Sequence, residues 1–173
     1  MSAVIITGMS AAGKSTIAAE LARRGLKVID SDGDASLCRF VDAAGKVVED
    51  EPEAPDLAWL AEHGWNWDPV RLDELIQAAG PGPVYVCGGA DNQLELADRF
   101  SHFILLEIDE RTMLARLDDP DRDNEWGRVG ETREYLRRRL PRYQEDLRAF
   151  GAIPVDATQS IEQVVDDILA RTS

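Results

Sequence analysis

The sequence predicts a three-layer α/β/α domain built on a five-stranded parallel sheet. Five short apolar segments alternate with segments of helical periodicity along the 173 residues. The first segment, AVIIT at 3–7, is continuously apolar, which is typical of a strand covered on both faces. Strands that alternate with helices form right-handed βαβ units and hence a parallel sheet with helices on both sides. The length fits one domain, 1–173.

The elements follow from hydrophobic spacing and from turn residues. The predicted strands are the apolar runs at 3–7, 27–32, 84–90, 102–109 and 152–157. The predicted helices cover 14–24, 55–63, 69–79, 91–99, 110–117, 131–150 and 160–171. Gly25 is expected to end the first helix. Pro141 is expected to break or kink the long one, because proline lacks an N–H group and clashes with the preceding turn.

Composition excludes several functional classes. The net charge of −14 argues against an extended nucleic-acid surface, which needs a basic footprint. No apolar stretch reaches the roughly 20 residues that span a bilayer, and the N-terminus lacks the features of a signal peptide. Cys38 and Cys87 lie far apart in the sequence, so neither a disulfide framework nor a zinc site is expected. We expect a cytoplasmic monomer or homodimer without nucleic-acid or membrane partners.

A phosphate-binding loop follows the first strand. The segment GMSAAGKS matches the pattern GxxxxGK[ST] through Gly8, Gly13, Lys14 and Ser15. Glycines allow successive backbone N–H groups to point at one anion, and the next helix directs its positive dipole end to the same place. Lys14 is expected to reach the β- and γ-phosphates of ATP, and Ser15 to offer its hydroxyl to Mg²⁺. The predicted nucleotide-binding residues are Gly8, Met9, Ser10, Ala11, Ala12, Gly13, Lys14, Ser15 and Thr16.

The chain resembles the P-loop small-molecule kinases, nearest to the shikimate kinase and gluconate kinase group of the nucleoside monophosphate kinase-like superfamily. Three pieces carry the resemblance: the phosphate loop, the DSD at 30–32 and the GGA at 88–90. It implies the P-loop NTPase fold, the use of ATP and Mg²⁺, and phosphoryl transfer to a hydroxyl of a small molecule. It also implies that the adenine base packs near 156–160.

The resemblance assigns roles to the two acids of the DSD segment. Asp30 would help to hold the water shell of Mg²⁺ in such kinases. Asp32 would accept a hydrogen bond from the acceptor hydroxyl and act as base or orienter. The alternative for Asp32 is a helix N-cap or a solvated turn acid.

The resemblance also places a glycine-rich turn beside the acceptor. Gly88 and Gly89 fit this turn, where a side chain would block a close approach of the backbone. The third glycine of the family is Ala90 in this sequence. The alternative is a plain tight turn.

A lid over ATP is the third implied feature, and residues 118–130 are its predicted position. Nine of the 19 basic residues lie between Arg116 and Arg148. Arg122 and Arg128 would neutralise charge on the transferred group, and Arg139 on the following helix would contact the acceptor. The alternative is that such arginines only pair with neighbouring acids.

The insertion 33–82 is the predicted acceptor-binding segment, and it departs from the family pattern. Between Asp30 and Glu74 there are 13 acids against Arg39, Lys46 and Arg71. Unless Arg39 or Arg71 points inward, such a lobe favours a neutral or cationic hydroxylated acceptor; the alternative is a solvated acidic surface.

Two tryptophans of the same insertion are further acceptor-site candidates. Trp65 and Trp67 lie two residues apart in HGWNWD, which places them on one side of an extended segment. They form either a stacking wall for the acceptor or the small core of the insertion.

Two other functions fit the same motifs. A nucleoside or nucleotide kinase would use the same loop and lid. An ATP-binding regulatory or scaffold protein would use the nucleotide only as a conformational signal. Asp32 discriminates between transfer and sensing, because a sensor needs no acid beside the γ-phosphate.

Overall fold

The computed structural model describes residues 3–122 and 124–172. The strands are β1 Ala3–Thr7, β2 Lys27–Asp30, β3 Cys38–Val41, β4 Gly64–Trp67, β5 Val84–Cys87, β6 Phe100–Glu107 and β7 Ile153–Asp156. The α-helices are α1 Lys14–Arg23, α2 Leu57–Glu62, α3 Pro69–Ala78, α4 Glu110–Leu117, α5 Gly130–Phe150 and α6 Ile161–Thr172. Short 3-10 helices cover Ser31–Gly33 and Ala97–Arg99.

Five strands form the parallel sheet that the sequence predicts. Their order is β2-β5-β1-β6-β7, and every neighbouring pair is parallel. Strand β1 is therefore central, with Ile5 opposite both Val86 and Phe103. The carboxyl ends of all five strands meet at one edge, and this is the edge where parallel α/β sheets bind ligands.

The core has two layers, one on each face of the sheet. Val4 and Ile6 of β1 pack with α1, α4, α5 and α6, whereas Ala3 and Ile5 pack with α3 and with Trp67 of β4. All four side chains are at most 1% exposed. Burial on both faces explains why the run is continuously apolar rather than alternating.

The 33–82 insertion contains a hairpin that the sequence did not predict. Strands β3 and β4 pair antiparallel, with Phe40 opposite Trp65 and Cys38 opposite Trp67. The extended conformation expected around Trp65 and Trp67 is confirmed, because β4 covers Gly64–Trp67.

The helix predicted at 91–99 is wrong. Turns follow β5, and only Ala97–Arg99 is helical, as a 3-10 turn. The carboxylate of Asp91 accepts a hydrogen bond from Trp65 N, and the Asn92 amide bonds to N and O of Trp67. These side-chain bonds to the β4 backbone compete with helix formation.

Of the break or kink predicted at Pro141, the break does not occur. Helix α5 runs without interruption from Gly130 to Phe150. Pro141 lies on the exposed face, where water can satisfy the carbonyl that loses its intrahelical partner. Among the described residues, no helix is both long and apolar enough to cross a membrane.

Candidate active site

The phosphate loop lies at the carboxyl end of β1. Gly13 and Ala11 have positive φ angles of 98° and 66°, so the loop turns back on itself before α1. A Cβ atom at Gly8 would lie 2.9 Å from both Ala12 Cβ and Leu106 O, which only glycine avoids. Among the residues that the structure describes, no side chain caps the N-terminus of α1. Its first N–H groups are therefore available to an anion.

Lys14 holds the loop closed on itself. Its ammonium group donates hydrogen bonds to the carbonyls of Gly8 at 3.0 Å and Met9 at 3.3 Å. Burial lowers the pKa of Lys14, and the charges of Asp32 and Asp30 oppose that shift. A phosphate ligand would replace these contacts to neutral carbonyls with stronger, charge-assisted contacts to the ammonium group.

Asp30 and Ser15 provide oxygen donors at the same edge. The Asp30 carboxylate accepts a hydrogen bond from Asp32 N at 3.3 Å, and the Ser15 hydroxyl is close enough to favour the charged form of Asp30. Burial, followed by the charge of Asp32, raises the pKa of Asp30. A hydroxyl and a carboxylate are hard donors of the kind that Mg²⁺ prefers beside phosphates, so these two residues fit that ion.

The larger of two adjoining cavities, about 610 Å³, opens over the phosphate loop. Residues 10–17 line one side, and Arg122, Ala157 and Gln159 line the other. Arg116 also lines it and bridges its walls, donating to Ala157 O at 2.6 Å and to Ala11 O at 3.2 Å. The cavity therefore extends from the loop to the 156–160 segment, where the resemblance implies the adenine base.

The second cavity, about 290 Å³, is walled by aromatic rings. Its rings come from the 33–82 insertion, the predicted lid and α5, and they are Phe40, His63, Trp65, Trp126, Tyr135 and Tyr143. The Phe40 ring lies 4.9 Å from that of Trp65 and 6.2 Å from that of Trp126. The two alternatives for the tryptophans therefore apply to different residues. Trp65 lines the cavity, whereas Trp67 is 1% exposed and belongs to the core.

The two cavities meet at a shared wall. Ser10, Lys14, Asp32 and Asn124 line both of them. A ligand in the larger cavity and a second ligand in the aromatic cavity would therefore both contact Lys14 and Asp32.

The two arginines predicted in the lid differ in position. Arg122 donates to Ser10 Oγ at 3.2 Å and to Trp126 O at 3.0 Å, and burial followed by the charge of Arg128 lowers its pKa. Arg128 lines neither cavity. It donates to Glu125 at 2.5 Å and to carbonyls of the loop itself. The geometry brings Arg122 to the phosphate loop and leaves Arg128 as a support of the 118–130 segment.

The two arginines predicted near the acceptor also differ in position. Arg71 lies outside both cavities and pairs with Asp34 at 2.9 Å and Glu74 at 3.2 Å. Arg139 lines the aromatic cavity, where it pairs with Asp91 and donates to the Tyr135 hydroxyl. Of the two arginines predicted to contact the acceptor, Arg139 therefore lines the aromatic cavity and Arg71 does not.

The GGA turn brings backbone into close contact on both sides. A Cβ atom at Gly88 would lie 1.6 Å from Ser31 Oγ, inside the segment that carries Asp30 and Asp32. A Cβ atom at Gly89 would lie 3.2 Å from Thr7 Oγ1, and Gly89 itself lines the aromatic cavity. Close approach, rather than turn geometry alone, explains both glycines.

Sequence reasoning missed a hydrogen-bonded ring of side chains beneath the aromatic cavity. Thr7 donates to Gln93 Oε1 at 2.8 Å, and Gln93 Nε2 donates to the Tyr143 hydroxyl at 3.1 Å. The Tyr143 and Thr7 hydroxyls lie 2.8 Å apart, so the tyrosine proton completes the ring. The ring ties β1, the turn after β5 and α5 together. No local motif signals it, because its members are distant in sequence.

Fold and site together define a P-loop nucleotide-binding domain of the α/β/α type. The sequence matches the AAA domain family over residues 4–137, and the chain belongs to that family. No curated protein sequence matches it.

Solved structures that share this fold at low identity include several kinases. A shikimate kinase from Acinetobacter baumannii in complex with shikimate is 18% identical, with a TM-score of 0.61 over 99% of this chain and 92% of that one. A gluconokinase from Sinorhizobium meliloti 1021 is 19% identical, with a TM-score of 0.56 over 98% and 90%. A deoxyadenosine kinase from M. mycoides with bound dATP is 18% identical, with a TM-score of 0.55 over 98% of both chains. The resemblance seen in the sequence is confirmed, as a shared fold.

Proposed function

We propose that this protein transfers the γ-phosphoryl group of Mg·ATP to a hydroxyl of a small neutral or cationic molecule. The observation that carries this proposal is the shared wall of the two cavities at Lys14 and Asp32. A phosphate donor in one cavity and an alcohol in the other would meet there. Holding two reactants in this way supplies much of the rate enhancement of phosphoryl transfer.

The phosphate loop binds the donor in this proposal. Backbone N–H groups and the N-terminus of α1 surround the β- and γ-phosphates, while Lys14 and Arg122 neutralise their charge. Ser15 and Asp30 would hold Mg²⁺, which when bound neutralises charge on the phosphate oxygens.

Asp32 orients the acceptor. The acceptor oxygen forms a bond to the γ-phosphorus as the bond to the β,γ-bridging oxygen breaks, and ADP leaves. Asp32 accepts the hydroxyl proton, and no covalent enzyme intermediate forms. A loose transition state needs an aligned nucleophile more than a strong base, so one exposed carboxylate suffices.

The lining of the aromatic cavity supports the acceptor class. Neither Arg39 nor Arg71 contributes to it, and the arginine that does line it, Arg139, is paired with Asp91. We therefore assign the acceptor lobe to 33–82 and the lid to 118–130. A nucleoside is the second candidate acceptor, because a flat base would stack against Phe40, Trp65 and Trp126.

The test is ADP release in a panel of hydroxylated metabolites and nucleosides, measured for the wild type and for Asp32→Asn. The substitution should leave Mg·ATP binding intact and reduce transfer to the best acceptor by at least about a hundredfold. Asp73→Asn, which makes the same change outside both cavities, should behave as the wild type.

Two outcomes would overturn the proposal. Equal turnover by the wild type and Asp32→Asn would remove Asp32 from the mechanism. ATP binding without turnover of any acceptor would favour the regulatory or scaffold alternative.

A further inference from the structure

Asp91 and Arg139 form an ion pair on the wall of the aromatic cavity. The carboxylate accepts from the guanidinium group, and about a third of each side chain is exposed. Arg139 also donates to the Tyr135 hydroxyl and lies over two rings, 5.4 Å from that of Tyr135 and 5.8 Å from that of Tyr143. The guanidinium group is thus held in one position, with its charge compensated.

The carboxylate partner is held just as firmly. Asp91 N donates to Trp65 O at 2.7 Å, and the second carboxylate oxygen of Asp91 accepts from Trp65 N at 2.8 Å. Two backbone bonds to β4 therefore fix Asp91 while its first oxygen faces Arg139. An isolated surface pair would be worth little, but a pair anchored at both ends keeps its geometry.

The charges of the cavity can then be assigned. Among the described residues that line it, the lysine and arginine side chains are Lys14 and Arg139, and the carboxylates are Asp32, Glu51 and Asp91. Lys14 and Asp32 lie at the wall shared with the phosphate cavity. Once Asp91 cancels Arg139, the remaining carboxylate is that of Glu51, which has no ion-pair partner among the described residues, and the other titratable group away from the shared wall is the His63 imidazole, whose Nδ1 lies 2.7 Å from Trp59 O.

We propose that Asp91 is a specificity-determining residue, which cancels the charge of Arg139 and so closes the cavity to carboxylate- or phosphate-bearing alcohols. The alcohols that remain are neutral ones and those that carry an amino group, since an ammonium ion would face Glu51 and aromatic rings. This inference rests on the proposed function for the identity of the cavity as the acceptor site, and it adds the residue that selects the acceptor's charge.

The substitution Asp91→Asn isolates this effect. The amide oxygen can still accept the hydrogen bond from Trp65 N, so the link to β4 is kept. The carboxylate that compensates Arg139 is lost, and the guanidinium group becomes free to form a charge-assisted pair with an anionic ligand.

Binding of three matched probes tests the proposal. The probes share one ring and one hydroxyl: trans-4-hydroxycyclohexanecarboxylate, its primary amide, and trans-4-(aminomethyl)cyclohexanol. Titrations followed by ligand-observed NMR use the full chain with Mg·ADP present, so that the phosphate loop is occupied. Wild type should bind the carboxylate more weakly than the other two probes.

Asp91→Asn should bind the carboxylate at least about tenfold more tightly than the wild type, with little change for the amide. In the double variant Asp91→Asn/Arg139→Gln this gain should disappear. Asp73→Asn is the matched control, since it removes one carboxylate from the Arg99 pair at 2.7 Å, outside both cavities, and should leave all three affinities unchanged.

Arg139→Gln gives a second measurement should Asp91→Asn fold poorly. It leaves the Asp91 carboxylate uncompensated, so the amino probe should bind more tightly. The proposal is overturned if Asp91→Asn binds the carboxylate probe with an affinity within twofold of that of the wild type. It is also overturned if the gain in carboxylate affinity persists in the double variant. If Asp91→Asn folds poorly, the proposal is overturned when Arg139→Gln binds the amino probe with the same affinity as the wild type. Because no probe has to be phosphorylated, these results stand apart from any failure of phosphoryl transfer.

Discussion

The guanidinium group of Arg122 donates a hydrogen bond of 3.2 Å to the hydroxyl of Ser10, across 112 residues of sequence. Arg122 is in the predicted lid, and Ser10 is in the phosphate loop. The same arginine donates to Trp126 O, and the Trp126 ring lines the aromatic cavity. A single side chain thus joins the segment over the phosphate cavity to the wall of its neighbour.

Arg122→Gln is expected to impair transfer far more than nucleotide binding. A preorganised charge aimed at a developing anion contributes about 10²- to 10³-fold to kcat, whereas the loop and Lys14 still hold ATP. Steady-state kinetics and calorimetric ATP titration measure the two effects separately. Arg142→Gln, whose side chain is exposed and pairs only with Asp146 among the described residues, is the control. A kcat within threefold of wild type for Arg122→Gln would contradict the assignment.

Lys14→Ala is expected to abolish stabilisation by nucleotide. A ligand at a hundred times its Kd stabilises the native state by about 2.7 kcal/mol. The variant loses the ammonium group that lies over the loop, so thermal unfolding with and without Mg·ATP should coincide. Lys46→Ala, in an exposed turn of the hairpin, should keep the full gain. An unchanged gain in Lys14→Ala would show that the lysine does not bind the phosphates.

The sequence allowed the phosphate loop to be predicted residue by residue because the loop is local. Its glycines, lysine and serine lie within one turn of the chain, so their spacing in the sequence predicts their geometry. The five-stranded parallel sheet followed from the alternation of strands and helices in the same way, whereas the order of its strands was not predicted. The acceptor side depends instead on contacts between distant segments. Asp91 was assigned to a helix that does not exist, because its bonds to Trp65 become visible only once β3 and β4 pair.

Gly88→Ala should destabilise the protein because its Cβ atom would lie 1.6 Å from Ser31 Oγ and 2.7 Å from Ser31 Cβ. Ser31 is fully buried, so the backbone next to Asp32 must move. Overpacking of this kind costs about 1–3 kcal/mol in the free energy of unfolding. Gly33→Ala is the matched control, since nothing lies within 4 Å of the added atom. Urea unfolding checks both, and equal midpoints would rule out the steric explanation.

Tyr143→Phe tests the ring of side chains that joins β1, the turn after β5 and α5. Removing the hydroxyl leaves Gln93 Nε2 without its acceptor and Thr7 Oγ1 without its donor, and Thr7 and Gln93 are at most 3% exposed. An unsatisfied buried polar group costs about 1–3 kcal/mol, so the free energy of unfolding should fall by that amount.

The matched control for Tyr143→Phe is Tyr85→Phe. It deletes the same atom from a hydroxyl whose contact, with Thr172, is long at 3.4 Å. For Tyr85→Phe we expect the free energy of unfolding to change by no more than about 0.5 kcal/mol, because only a weak hydrogen bond is lost. Urea unfolding with an unchanged m-value separates a loss of stability from a change in the unfolded state. If the two tyrosine variants lose the same stability, the ring of Thr7, Gln93 and Tyr143 contributes nothing beyond an ordinary hydroxyl, and it does not stabilise the packing of α5 against β1.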